Sequence, residues 1–194
     1  MRFTSALFAH AEAAMKAILT FEHPADGALS YYFRNHRELG HADRRFVAEA
    51  CFSTLRRLRS LSARCPDDQP RKLLLASMFC LRGWNLKQMA PVLNDTDAEW
   101  LSAAKAMPVD SWPLAVRLDL PDWLFERLSV KYPLEIEALA TALNRPAPLD
   151  LRIDAGEQVA VIGPSGAGKT MTGRAVLRLI RPPGRIQADR MVFD

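Results

Sequence analysis

Apolar side chains recur at helical spacing through most of the first 145 residues. Leu7, Phe8, Ala11, Ala14, Met15, Ile18 and Leu19 form the pattern of an amphipathic helix over residues 4–20. Pro24 stops it and opens a second helix with Leu29, Tyr32 and Phe33 on its apolar face, and Leu39-Gly40 ends that one by a glycine stop. The clearest helix runs from about Ala42 to Ser62. Phe46, Val47, Ala50, Cys51, Thr54, Leu55, Leu58 and Leu61 form one stripe, with Arg45, Glu49, Arg56 and Arg59 on the other side. Cys65-Pro66-Asp67-Asp68 breaks the pattern and caps the next helix. Lys72 to Trp84 is apolar nearly all round and predicts a central buried helix, with Gly83 near its end. Asp95 or Thr96 caps a short helix through Trp100, Leu101 and Ala104. Pro121 to Tyr132 predicts a helix with Trp123, Leu124 and Leu128 inward, and Pro133 begins another with Ile136, Leu139, Ala140 and Leu143. No convincing strand pattern precedes Arg145.

The character changes at Pro146. Leu149 to Ile153 alternates as a strand does, Gly156-Glu157 is a turn, and Gln158 to Ile162 has the pattern of a buried strand. Next come a glycine-rich loop, a helix with Val176, Leu177 and Ile180, a break at Pro182-Pro183-Gly184, and a short strand, Met191 to Phe193. The loop Gly163, Pro164, Ser165, Gly166, Ala167, Gly168, Lys169, Thr170 fits G-x-x-x-x-G-K-[ST] without a mismatch, and Met171 comes directly after it. Its glycines let the backbone turn successive N–H groups toward an anion, and the helix it opens adds a positive dipole end. Lys169 then reaches the β- and γ-phosphates, and Thr170 holds Mg²⁺. The strand before the loop and the helix after it are the context such a loop needs.

Composition adds limits. The chain has 194 residues, 49% of them apolar and 25% charged, which is the balance of a globular protein. No run approaches the ~20 apolar residues of a membrane helix, and His10 and Glu12 interrupt what would be a signal peptide. Cys51, Cys65 and Cys80 lack metal or CxxC spacing and predict reduced thiols in a cytoplasmic protein. The net charge of +4 hides segregation: ten basic and five acidic residues lie between Arg34 and Lys72, four basic and nine acidic between Asn94 and Glu137. Twenty of the 26 basic residues are Arg, whose flat fork suits phosphate.

Gly156-Glu157-Gln158 through Thr172, then Arg174 to Ile180, Gly184-Arg185-Ile186 and Val192-Phe193-Asp194, resembles the start of an ABC-transporter ATPase subunit of the peptide-importer type. The resemblance covers about residues 154–194 and implies ATP with Mg²⁺ as ligand. The Walker B carboxylate, the LSGGQ signature, the switch His and the adenine-stacking aromatic of that family have no counterpart here. Phosphoryl transfer depends on several such separated parts, so no ATP hydrolysis is expected from this chain, and about 41 residues need support from elsewhere to bury a core.

The helical part carries a different resemblance. Phe33 to Arg37, Leu39 to Val47 and Thr54 to Arg59 are similar to the N-terminal domain of the Sun/RsmB-type ribosomal RNA cytosine-C5 methyltransferases. Leu120 to Leu128 and Asn144 to Ile153 resemble the segment joining that domain to the rest of the enzyme. The resemblance implies a fold like the antitermination factor NusB, an all-helical bundle that binds RNA. The family's cofactor-binding domain and its two cysteines would come after Ile153, where the ABC pattern takes over. No S-adenosylmethionine site and no catalytic residue are therefore expected, and Cys51, Cys65 and Cys80 cannot be carried over as catalytic.

The expected fold is mainly α: a NusB-like helical bundle over residues 1–145, a junction over 146–156, and a short β–P-loop–α–β fragment over 157–194. The RNA-binding candidates are Arg44, Arg45, Arg56, Arg57 and Arg59 on one helix. The blander alternative is a solvated face, with Glu49 pairing Arg45 or Arg56 at helical spacing, Asp43 as a cap and Arg44 in a buried salt bridge. His10, His23, His36 and His41 show no metal spacing and predict surface or capping roles. Trp84, Trp100, Trp112 and Trp123 predict core anchors. Asp95, Asp97 and Glu99 predict a solvated helix start. Three alternative functions fit these observations: an RNA-binding module without catalysis, a nucleotide-binding protein, or a fusion without selected activity.

Overall fold

Thr4 starts the first helix by accepting the Leu7 N–H at 3.2 Å through its hydroxyl, a standard N-cap that satisfies one orphan donor. From there the computed structural model describes residues 3–65, 67–144 and Gly173. The chain divides into two units, Met1–Pro146 and Ala147–Asp194. The described residues belong to the first, apart from Gly173, which is helical and exposed. The predicted strands and the phosphate loop lie outside them.

The first unit is helical, and no strand occurs among its described residues. It comprises α1 (Ser5–Ile18), α2 (Ala25–Asn35), α3 (His41–Arg56), α4 (Leu58–Arg64), α5 (Pro70–Ala76), α6 (Leu86–Met89), α7 (Asp97–Ala106), α8 (Leu114–Arg117), α9 (Asp122–Lys131) and α10 (Ile136–Leu143). Helix α1 packs on α2, α3 and α5 through the predicted stripe: Leu7, Phe8, Ala11, Ala14, Met15 and Ile18 are all buried. They meet Phe46, Val47, Ala50 and Cys51 of α3 and Leu74, Leu75 and Met78. Residues 73–78 are buried throughout, as their all-round apolarity requires. After Ala76 the helix widens into a π-helical turn, Ser77–Leu81. The Arg82 N–H then bonds to the Ser77 carbonyl five residues back, at 3.1 Å. Gly83, at φ +71°, releases the chain.

Several boundaries differ from the sequence expectation. Helix α2 ends at Asn35, because His36 leaves helical geometry at φ −120°. Gly40 is no C-cap: it is extended and serves as the N-cap of α3. Asp67 and Asp68 do not cap α5, which starts on Pro70; Asp67 instead pairs with Lys72 at 2.5 Å. Trp123 is 60% exposed, with Arg127 over its ring. Leu124, Phe125 and Leu128 take the inward face of α9, which leaves Trp123 outside the contact arc. Leu143 is likewise exposed. Asp97 is not solvated. It is buried and held by Arg71 through two bonds, at 2.7 and 3.2 Å, while Asn94 Oδ1 accepts the Asp97 N–H.

The largest departure is the break of the long predicted helix at Arg57 (φ −119°, ψ 22°), between α3 and α4. The stripe continues across it, since Leu61 is buried with Cys65, Leu73 and Ala76 in a second small core. The break is made by Asp119, 59 residues downstream of Ser60. Asp119 Oδ1 accepts the Ser60 N–H at 2.8 Å, and Oδ2 accepts the Ser60 hydroxyl at 3.0 Å and Arg57 Nη1 at 3.2 Å. The carboxylate thus serves the exposed donors at the start of α4 as a capping side chain would, but from a distant part of the chain. Its side chain is 1% exposed. Its backbone sits at φ +55°, a left-handed conformation that Asp tolerates better than most residues. Arg59 reinforces the joint by donating to the Leu120 carbonyl and pairing with Asp122 at 2.8 Å. Leu120, Ile136 and Ala140 form the third core, with Leu118, Leu124, Phe125 and Leu128.

The cysteines are free thiols. Burial pushes Cys51 and Cys65 up to about 12 and raises Cys80 as well.

The packing around Asp119 can be tested by substitution. Asp119→Ala should cost about 3 kcal/mol in urea unfolding, because it strands a buried N–H, a hydroxyl and a guanidinium together. Asp119→Asn keeps the backbone preference and one acceptor and should cost about half as much or less; equal, small losses would dismiss the joint. The thiols give a pH dependence. Folded Cys51 and Cys65 stay protonated to about 12, against an ordinary value of 9.0. The folded chain therefore binds more protons in that interval. Stability should be full below about pH 9 and fall as pH rises toward 12. At pH 8 a thiol reagent should label Cys80 first and reach Cys51 and Cys65 only on unfolding.

Candidate nucleic-acid interface

The fold sorts the five arginines expected to act together. Arg44 Nε donates to the Leu39 carbonyl at 2.9 Å and Nη2 to the His36 carbonyl at 3.3 Å. Its guanidinium lies over the Phe33 ring. Arg44 pins the loop between α2 and α3, through carbonyls and not through the salt bridge considered for it. Arg57 and Arg59 hold the Asp119 joint. Arg45 and Arg56 are exposed and have no ion pair or hydrogen bond among the described residues. Eleven residues apart, they share one face of α3, three turns and about 16 Å along its axis.

Glu49 lies between them on that face. Helical spacing favours a pair with Arg45 or Arg56, but Glu49 Oε1 accepts Arg82 Nη2 at 2.6 Å instead. This adds a third guanidinium to the face. Arg82 reaches it because the π-helical turn and Gly83 end the buried helix beside α3. No local pattern announces that pairing; Arg82 had only its place after an apolar run to mark it.

Two concavities flank the Arg82–Glu49 pair. One, of about 550 Å³, is lined by Ser53, Arg56, Arg57, Ser77 and Asn144 besides the pair itself. The other, of about 380 Å³, is lined by His41, Arg45, Phe46 and Trp84 together with the same pair. Two of its lining residues, Ser77 and Arg82, each carry a buried donor without a hydrogen-bond partner among the described residues, Ser77 Oγ and Arg82 Nη1. Ser77 is 1% exposed. An unpaired buried hydroxyl and N–H are costly. Arg56, exposed beside them, presents a forked donor at the rim. Trp84 is a poor stacking platform, since its ring packs on Phe3 at 5.0 Å and Phe46 at 6.3 Å.

The nucleotide-binding candidates Gly163, Pro164, Ser165, Gly166, Ala167, Gly168, Lys169, Thr170 and Met171 lie outside the described residues, and so does any Mg²⁺ position at Thr170. Among the described residues no helix is long and apolar enough to cross a membrane.

Comparison with known proteins locates two families on the chain. Residues 120–158 match the RsmF/B-like methyltransferase ferredoxin-like domain. Residues 147–193 match the ABC transporter family, so the two overlap over residues 147–158. An ATP-dependent lipid A-core flippase of Cupriavidus pinatubonensis is 38% identical over 97 residues, covering 48% of this chain and 15% of that protein. A glutathione import ATP-binding protein, GsiA, of Escherichia coli O6:H1 is 33% identical over 84 residues, covering 42% of this chain and 13% of that protein. The chain thus spans only a small part of the length of these curated relatives. No solved structure matches it. In succession, then, one stretch of the chain matches the RsmF/B-like methyltransferase ferredoxin-like domain and the next matches the ABC transporter family, an arrangement consistent with a fusion.

Proposed function

We propose that the helical unit, residues 1–145, is an RNA-binding module of NusB-like fold related to that of an rRNA cytosine-C5 methyltransferase, and that it grips RNA by its phosphates through Arg45, Arg56 and Arg82. Residues 146–156 form the junction to a P-loop piece, 157–194. The observation that carries the RNA reading is the pairing of Glu49 with Arg82. It takes away the only carboxylate at helical spacing that could have neutralised Arg45 and Arg56. Arg44, Arg57 and Arg59 are tied into the fold by the bonds described and support the surface. Phosphate contacts of this kind are sequence-independent and weaken steeply with salt.

The family match over residues 147–193 favours a second activity, binding of ATP with Mg²⁺ through Gly163 to Thr170.

RNA retention measured across a salt series tests the first reading. Arg45→Glu with Arg56→Glu should weaken binding more than tenfold and reduce the salt slope by about 2, with an unchanged helical spectrum. Undiminished binding would reject it. For the second, MgATP should protect residues 157–194 from proteolysis in the native chain and not in Lys169→Ala. Equal cleavage with and without nucleotide would remove ATP from the account.

A further inference from the structure

Helices α1 and α2 bring together three groups that lie far from any metal-binding spacing in the sequence. His10 projects from α1, His36 stands at the end of α2, and Glu38 lies in the loop leading to α3. His36 Nδ1 is 2.9 Å from Glu38 Oε1, and His10 Nε2 is 4.0 Å from the same oxygen. One ligand atom from each of the three lies within 4.8 Å of the other two. We propose that His10, His36 and Glu38 form a binding site for a divalent transition metal of the zinc class, with two imidazoles and one carboxylate as ligands and water completing the shell.

The chemistry selects the ion. Two imidazole nitrogens disfavour Mg²⁺ and Ca²⁺, which take oxygen, and suit Zn²⁺ and its neighbours. Ligands about 2.0–2.2 Å from zinc stand a little over 3 Å apart, so closing the set needs side-chain rotations of about 1 Å and no backbone change. Glu38 is exposed, which leaves the outer position open to water.

Two features outside the ligand set hold it in place. The Tyr32 hydroxyl is 2.9 Å from His10 Nδ1. With Nδ1–H donating to that oxygen, the Nε2 lone pair is left for the metal, the usual arrangement behind a ligating histidine. Arg44 holds the loop by bonding the carbonyls of His36 and Leu39, one on each side of Glu38, and Leu39 is buried. Two of the three thiols, Cys51 and Cys65, are buried. A bound ion would tie α1 to the loop that starts α3, and so would stiffen the scaffold on which Arg45 stands.

The full chain, free of nucleotide, can be titrated with Co²⁺ and competed with Zn²⁺. The expected result is one site, visible-range ligand-field bands without the near-ultraviolet charge-transfer band of a thiolate, and a melting midpoint raised by roughly 5 °C at a hundredfold excess of Zn²⁺ over Kd. Mg²⁺ should not raise it. His10→Ala, His36→Ala and Glu38→Gln should each weaken Co²⁺ binding at least tenfold. Glu38→Gln, exposed and isosteric, guards against a variant that merely fails to fold. Absence of binding, a thiolate charge-transfer band, or unchanged affinity in Glu38→Gln and His10→Ala would overturn the site. RNA retention is not the readout, so this result stands apart from that of the RNA test.

Discussion

The Asp119 carboxylate lies buried between three donors of the α3–α4 break, and the course of the basic helix and the docking of the third core depend on satisfying it. A carboxylate removed from water is tolerable only when its oxygens are filled. Here they accept a backbone N–H, a hydroxyl and a guanidinium. Because Asp119 takes the Ser60 N–H, the helix does not run through Arg57, and α4 restarts at Leu58. The same bonds dock the segment that leads into α9 and α10. The third core of Leu120, Ile136 and Ala140 is too small to hold itself, so its attachment depends on this polar joint at least as much as on apolar burial.

That constraint redistributes the chemistry of the basic helix. Arginines that look equivalent along the sequence divide by what they face. Arg57 and Arg59 meet the joint, and Arg44 meets the carbonyls of the preceding loop. The long side chains that remain on the outer face, Arg45 and Arg56, are those whose nearest carboxylate, Glu49, is drawn off by Arg82. A positive surface arises from the removal of a neutralising partner by tertiary structure, and not from the count of basic residues.

Local periodicity carried the burial of α1, α3 and residues 73–78, because each stripe is repeated over several turns and one neighbour is enough to cover it. The features that escaped depend on pairs distant in the chain. Arg82 and Glu49 are 33 residues apart, Ser60 and Asp119 are 59 apart, and His10 and Glu38 meet across two helices. None leaves a periodic trace. Trp123 misled for a simpler reason: at a helix edge an aromatic adjoins the apolar face without belonging to it, and only the neighbouring helix fixes where that face ends. The glycine-rich loop is the opposite case, legible as a motif because its chemistry is entirely local, although its residues lie outside the described part of the chain.

The charge segregation along the chain has a structural meaning that its sum conceals. The basic band of residues 34–72 and the acid-rich stretch of residues 94–137 are complementary partners in the folded unit. Arg57 pairs with Asp119, Arg59 with Asp122 and Arg71 with Asp97. Each of these pairs joins one stretch to the other, and two of the carboxylates are largely withdrawn from water, which strengthens the pairing there. A band of ten cations therefore does not present ten charges to a ligand. Much of its excess is neutralised inside the fold, and the outer face of α3 keeps Arg45 and Arg56 exposed. Charges so distributed are screened beyond about one Debye length of ~8 Å at physiological salt, so the local arrangement of Arg45, Arg56 and Arg82 matters more to the character of this face than the net charge of the band.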